Sequence, residues 1–208
     1  MILSDRTIRE EIAAGRLIID PYDPKLVQPA SLDLRLSLKF RVFADVSMYG
    51  QMGKAYIDTK ESVADIMRLV EVKDGEPFML PPRQFVLGST VETVTLPADL
   101  VGRLEGRSSL GRIGVVIHST AGYIDCGYSG QITLEISNLS PLPIALYPGM
   151  RIAQISFARM TTPAERPYGH KDLSSKYQGQ QDPTPSKLFM DFTTSKDEGR
   201  RTKGKRRG

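Results

Sequence analysis

From Ser31 onward the chain is a succession of short segments in which apolar and polar residues alternate, each ended by a turn signal. That pattern restricts the fold more than any other feature, because a period of two belongs to strands and not to helices. Leu32, Leu34, Leu36 and Leu38 alternate with Ser31, Asp33, Arg35 and Ser37, which suits a half-buried strand through SLDLRLSLKFRVF. Further strands are expected at Gln84 to Thr95, Gly102 to Glu105, Val115 to His118, Gly130 to Ser137, Ile144 to Leu146 and Arg151 to Phe157. LPADLVG, DCGYSG, SPLP and YPGM punctuate them. Upstream, SDRTIREEIAAG reads as a short helix: Ser4 or Asp5 caps its start, Ile8 and Ile12 share a face, and Gly15 can close its end. Many short strands joined by turns argue for a mostly β fold, a sandwich or a barrel.

The 208 residues, 40% hydrophobic and 25% charged, describe one soluble globular domain long enough to bury a core. The chain has no run of eighteen apolar residues, and MILSDRTIREEI is too charged for a signal peptide, so a cytoplasmic protein without a membrane span is expected. A single cysteine, Cys126, excludes an intramolecular disulfide and any multi-cysteine zinc site. The net charge of +4 sits mostly in GRRTKGKRRG, Gly199 to Gly208, which carries six Lys or Arg and no acid or apolar residue. Such a tail is expected to be disordered and solvated; with no aromatic interleaving or groove-reading motif beside it, nucleic acid is not the expected partner. From about Thr162 the sequence turns polar and rich in Pro, Gly and Gln. RPYGHKDLSSKYQGQQDPTPS reads as a loose terminal arm, although Tyr168, Lys176, Tyr177 and Gln180 are unusual in a mere linker.

Three groups of residues carry candidate chemistry. EGRSSLGRIG supplies the hydroxyls of Ser108 and Ser109, the guanidiniums of Arg107 and Arg112, and glycines that admit close backbone approach. Arginine forks and hydroxyls match phosphate oxygens, yet a Gly-Arg-Ser-Ser stretch is also an ordinary turn, and no Walker A spacing is present. The two histidines, His118 and His170, have no Cys or His at metal-ligand spacing, and the zinc deaminase signature is absent. A hydrolase built this way would have to activate water with a carboxylate. In the strand from Gly130 to Asn138, Ile132, Leu134 and Ile136 fall on one face and Thr133, Glu135 and Ser137 on the other. Glu135 and Asp125 are the candidates. A strand glutamate also commonly faces solvent, and Asp125 also reads as a turn residue bonding the backbone ahead of CGYSG.

Taken together, GRSSLGR, HSTAGYIDCGYSG, ITLEISN and PYGHKDLSSKYQGQ resemble the dCTP deaminases, relatives of the trimeric dUTPases. The resemblance runs from MILSDRTIREEI through GRLIIDPYDPKLVQPASLDLRL and LPADLVGRLEGRSSLGR to SKYQGQ, over residues 1–186, with 162–186 as a nucleotide-closing arm and 187–208 as an extension ending in the basic tail. It implies a distorted jelly-roll or β-barrel of dUTPase type, assembled as a homotrimer with sites shared between subunits. It also implies zinc-free chemistry, with magnesium held by the substrate triphosphate and no protein metal ligands. By resemblance, Glu135 is the general acid/base for water attacking C4 of cytosine, and Ser108 and Arg112 assist. Substrate contacts fall on Arg107, Ser108, Ser109, Leu110, Gly111, Arg112, Asp125, Thr133, Leu134, Glu135 and Gln154. Tyr168, Lys176 and Gln180 close over the triphosphate.

Gly122 and Tyr123 in TAGYID match the bifunctional, dUMP-forming members, whereas monofunctional deaminases tend to carry a bulky His-Arg pair there. The resemblance then gives Asp125 a second role, activating the water that cleaves the triphosphate, with the glycine leaving room for that water. Cys126 stands where related sequences often have proline. A plain dUTPase and a monofunctional deaminase are the rival readings; the first leaves Glu135 and Arg112 without a task on uracil. Whether dTTP acts as an effector stays open, although His118 and Thr120 lie where the family's effector response is centred.

Overall fold

The computed structural model of the protein describes residues 1–44, 56–118 and 121–192. Thr120 and the basic tail lie outside them. The chain divides into two compact units. The larger comprises Met1–Arg41 and Leu69–Thr184; the smaller comprises Val42–Arg68 and Pro185–Gly208. Within the described part of the smaller unit the Ala44 N–H donates to the Ile66 carbonyl at 2.9 Å, and the Lys60 ammonium lies 5.7 Å from the centre of the Phe192 ring.

Helix α1 spans Asp5–Ala13. Ser4 caps it by accepting from the Thr7 N–H, and Gly15 closes it in the left-handed region at φ 67°. The strands in chain order are β1 (Ile18–Asp20), β2 (Val27–Gln28), β3 (Ser31–Arg35), β4 (Lys39–Phe43), β5 (Met67–Glu71), β6 (Phe78–Leu80) and β7 (Phe85–Thr95). They continue with β8 (Leu100–Gly106), β9 (Val115–Ile117), β10 (Tyr123–Ile124), β11 (Ser129–Asn138), β12 (Ile144–Leu146) and β13 (Arg151–Arg159). One sheet runs β5-β4-β7-β11-β9, with β1 also on β7; a second runs β10-β8-β13-β3-β2; β12 and β6 form a ribbon.

The alternation does what period two requires. Leu32 and Leu34 of β3, Leu134 and Ile136 of β11, and Ile155 and Phe157 of β13 all lie in the core, each such side chain contributing roughly 1.5–3 kcal/mol by leaving water. All the strands expected from alternation are present, within a residue or two at their ends. The stretch from Ser31 to Phe43 is two strands in different sheets, not one, because the chain turns between Arg35 and Lys39. The short strands β1, β2, β6 and β10 are too brief to show a period and went unanticipated, as did β5.

Two polar residues depart from the expected pattern. Helix α1 buries Ile8 together with Glu11, while Ile12 is only half-buried. Glu11 tolerates burial because Arg16 donates to one of its oxygens at 2.8 Å and Arg159 donates to the other. Arg16 also grips both oxygens of Asp99 at 2.7 and 2.8 Å, which ties the helix to the turn before β8. Asp33, in the polar row of β3, is not half-exposed but 2% exposed.

Burial pulls the Glu11 carboxyl up, and the hydrogen bonds from Arg16 and Arg159 more than reverse that, leaving it below its ordinary value. A carboxylate depressed by folding adds stability above its unfolded pKa and loses it as the pH falls through the folded one. Glu11→Gln is therefore expected to lower unfolding free energy by about 2 kcal/mol at neutral pH, a deficit fully present above about pH 5 and shrinking below about pH 4. Chemical denaturation across that pH range checks it; a deficit independent of pH would show that the ion pair is not the cause.

Candidate active site

Strand β11 lies between β7 and β9, so the Glu135 backbone is fixed from both sides: its register partner on β7 is Leu87, and its carbonyl accepts from the His118 N–H at 3.0 Å. The neighbours Leu134 and Ile136 sink into the core, and the glutamate therefore projects from the opposite, half-buried face beside Thr133. Among the described residues no group pairs with its carboxylate. A carboxylate held rigidly and left unpaired can exchange a proton with a ligand.

The Arg107–Arg112 segment forms one helical turn, Ser108–Gly111, closed by the Arg112 N–H donating to the Ser108 carbonyl at 3.0 Å. Buried Leu110 anchors it, which leaves Ser108, Ser109, Gly111 and Arg112 exposed. Gly114 follows at φ 85°, where an added Cβ would lie 2.9 Å from the Ser140 amide nitrogen. The turn borders a cavity of about 630 Å³ whose wall includes Asp33, Arg107, Ser108, Ser109, Gly111 and Gln154. Asp33 lies 3.5 Å from the Arg107 Nε and accepts from Arg151 at 3.2 Å.

Asp125 sits in a turn closed by the Tyr128 N–H donating to its carbonyl at 3.2 Å; its side chain is exposed and bonds no described group, contrary to the turn role also considered for it. Burial, with the Asp125 charge beside it, pushes the Cys126 thiol up, so it stays protonated. An added Cβ at Gly122 would stand 2.6 Å from the Leu104 carbonyl oxygen, and the Gly122 carbonyl accepts from the Leu104 N–H at 2.7 Å. The expected open space for a second water does not lie in that direction; glycine is needed because two backbones meet there. His118 has φ 67°, and both ring nitrogens are buried without a described hydrogen-bond partner.

The arm from Tyr168 to Thr184 is not loose. The Tyr168 N–H donates to the Cys126 carbonyl at 2.8 Å, Gly179 to the Ser129 carbonyl at 2.7 Å, and the Gln131 N–H to the Gln180 carbonyl at 3.0 Å. Gln180 Nε2 reaches the Gln131 carbonyl at 2.8 Å and the Tyr128 hydroxyl at 3.1 Å. Thr184 donates to the Thr133 hydroxyl at 3.2 Å, and Asp182 pairs with Lys39 at 2.7 Å. Burial pushes the Tyr128 hydroxyl well above its ordinary value, with the Gln180 bond opposing only in part, so the phenol remains a neutral donor to the Gln131 carbonyl.

One chain thus brings together two sets of the expected residues. Arg107, Ser108, Ser109, Gly111 and Gln154 share the cavity; Thr133 and Gln180 share the arm's seat on β11, and Tyr168 is held by the Cys126 carbonyl ahead of that strand. Glu135, Asp125, Arg112, Tyr168, Lys176 and Gln180 do not line the cavity, and Leu110 and Leu134 turn their side chains into the core. Sequence reasoning missed Asp33, Arg151, Tyr128 and Gln131. For the first there was no local signal, since Asp33 falls in the polar row of β3 with Ser31 and Arg35.

The dCTP deaminase-like family model matches residues 2–160. A dUMP-forming dCTP deaminase of Mycobacterium avium (strain 104) is 55% identical over 195 residues, covering 94% of this chain and 100% of that one. One from Mycolicibacterium vanbaalenii is 56% identical over 192 residues, covering 92% and 98%. The crystal structure of 2′-deoxycytidine 5′-triphosphate deaminase from Agrobacterium tumefaciens superposes with a TM-score of 0.57 at 28% identity, over 76% of this chain and 47% of that one, about half its length.

Gly122→Ala is expected to destabilise the protein by about 1–3 kcal/mol, since the new methyl meets backbone that has no rotamer to change. Denaturant midpoints of the two proteins measure this; an unchanged midpoint would mean that the Gly122–Leu104 approach is looser than described.

Proposed function

We propose a reaction for this chain, which belongs to the dCTP deaminase-like family: hydrolysis of dCTP to dUMP, ammonia and diphosphate. The observation that carries it is Glu135, a rigid, half-buried carboxylate on β11 that is unpaired among the described residues, in a chain 55% identical to a dUMP-forming dCTP deaminase over nearly its whole length. Water attacks C4 of the cytosine; Glu135 accepts its proton and returns it to the base and the departing ammonia, with Ser108 and Arg112 placing the water and the ring. A second water, activated by the exposed Asp125, attacks the α-phosphorus, and diphosphate leaves. Arg107, Ser108, Ser109 and Gln154 hold the phosphates and sugar, and Tyr168, Lys176 and Gln180 close the site.

Magnesium belongs on the triphosphate. The cavity offers guanidinium and hydroxyl donors, and its one lining carboxylate, Asp33, already faces two arginines, a donor set that suits an ion carried in by phosphate. When bound there the ion offsets charge on the departing diphosphate.

The reaction needs Glu135 at the cavity, and within one chain it does not line that wall. A homotrimer of the distorted jelly-roll type, in which one subunit's Glu135 meets another's Arg107–Arg112 turn, supplies the missing half. Exposed apolar side chains agree: Leu139 and Leu142 are 71% and 69% exposed beside Ile113 and Met79, a surface that another copy would cover.

The test is a time course of dCTP, dUTP and dUMP at saturating dCTP with magnesium. dUMP and ammonia are expected in equal amounts, EDTA stops both, and magnesium restores them. Glu135→Gln, nearly isosteric, is expected to fold normally and lose at least about a hundredfold in rate. Accumulation of dUTP left uncleaved would show a monofunctional deaminase, and normal ammonia release by Glu135→Gln would remove the glutamate from the chemistry.

A further inference from the structure

We propose that Lys39 of β4 and Asp182 of the arm form a latch: with Arg41 they strap residues 182–184 across the polar face of the sheet and set how long the arm stays seated, and hence how slowly a bound nucleotide leaves. The second half rests on the closing role given to the arm above; the latch itself does not.

The strap spans the sheet from β11 to β4, with β7 between them. At β11 the Asp182 N–H donates to the Gln131 side-chain oxygen at 2.6 Å, and the Thr184 N–H to the Thr133 hydroxyl at 3.2 Å. At β4 the Lys39 ammonium donates to the Asp182 carboxylate at 2.7 Å, and Arg41 Nε to the Pro183 carbonyl at 2.8 Å. Three consecutive residues thus carry four anchors. Both ends are rigid. Phe40, between the two cations, is fully buried and stacks on Phe78 with ring centres 4.1 Å apart, and β11 is paired on both sides. Thr133 is the neighbour of Glu135 in the polar row of β11, so the strap reaches the position next to the proposed catalytic carboxylate.

The backbone shows what the aspartate is for. Asp182 has φ 59°, in the left-handed region that glycine fills freely and other residues enter at a cost. Three residues earlier the same arm uses glycine for this conformation, Gly179 at φ 71°. Strain of this kind persists where contacts over-determine it, and here the side chain supplies the contact that glycine would lack. Exposed ion pairs usually contribute little, because two long side chains must be ordered to form them. This pair is 31% and 39% exposed, and both of its backbones are already anchored, so less freedom is lost. The hydrogen bond and charge of Asp182 hold the Lys39 ammonium above its ordinary pKa, with the charge of Glu71 on β5 adding to them. A ligand enclosed by a seated arm leaves only when the arm lifts, so its dissociation rate follows the same opening equilibrium that amide exchange reports.

Hydrogen–deuterium exchange of the full-length protein reads the latch through the amides of Gly179, Asp182 and Thr184. Lys39→Met and Asp182→Asn are each expected to speed arm exchange about threefold, and the double variant no more than either, because both remove one contact. Lys39→Arg should keep most of the protection, and Lys39→Met with Arg41→Met should lose at least about tenfold. Peptides of β13 should not change. Stopped-flow displacement of α,β-imido dUTP, a nucleotide already deaminated and not cleavable, measured with magnesium, is expected to show dissociation faster by the same factors. Unchanged arm exchange, additive effects of the two single variants, or an equal rise in β13 overturns the latch. Faster arm exchange with unchanged dissociation of the analogue would overturn its control of nucleotide release, and with it the closing role of Tyr168, Lys176 and Gln180. A wild-type protein that binds no analogue would sink the nucleotide reading, while exchange alone would still decide the latch.

Discussion

Everything at this site depends on how strand β11 is held. Its alternation commits Ile132, Leu134 and Ile136 to the core, and a slip of one residue would exchange them with Thr133, Glu135 and Ser137. Pairing with β7 along nearly its full length and with β9 at its end fixes that register. Glu135 is therefore aimed by hydrophobic burial on its own strand, and no hydrogen bond to its carboxylate is needed to keep it there. That leaves the carboxylate available for proton transfer. The same polar face seats the arm, through Gln131 and Thr133, so the closing segment and the proposed catalytic acid are referenced to one strand.

Buried charge is the second organising element, and each instance carries compensation. Glu92, inside β7, accepts from the Arg35 backbone N–H at 2.8 Å and from its guanidinium at 2.6 Å. Glu11 is closed by Arg16 and Arg159, and Asp33 by Arg107 and Arg151. The first two pairs join elements of the scaffold. The third borders the cavity through Asp33 and Arg107.

Long alternating strands were readable in the sequence because their period repeats often enough to be recognised. Three-residue strands such as β1, β6 and β12 hold barely one period; β12 was found between its flanking SPLP and YPGM turns, whereas β1 and β6 were not, although DGEP and PP frame β6. The Arg107–Arg112 cluster and Glu135 stood out as candidates by residue type and spacing, and their roles came from the resemblance. Asp33 and Glu11 were not, because a carboxylate in a polar row reads as solvated until a distant arginine is known to cover it. Gly122 was legible as a special position, but its physical reason, the Leu104 carbonyl at 2.6 Å, belongs to tertiary structure. The arm's company of Tyr168, Tyr177 and Gln180 hinted at order, and the cross-strand bonds to Ser129 and Gln131 supply it.

A site divided between subunits makes a demand that a self-contained one does not. If Glu135 of one chain serves the Ser108 turn of another, then a chain lacking only the carboxylate and a chain lacking only the serine can together build an intact site. Co-expressing Glu135→Gln and Ser108→Ala chains and assaying ammonia release from dCTP in the purified mixed oligomer measures this directly. Each variant alone should be nearly inactive, and activity should reappear in the mixed oligomer. A mixed oligomer as inactive as either parent would contradict the shared site and require both groups to meet within a single chain.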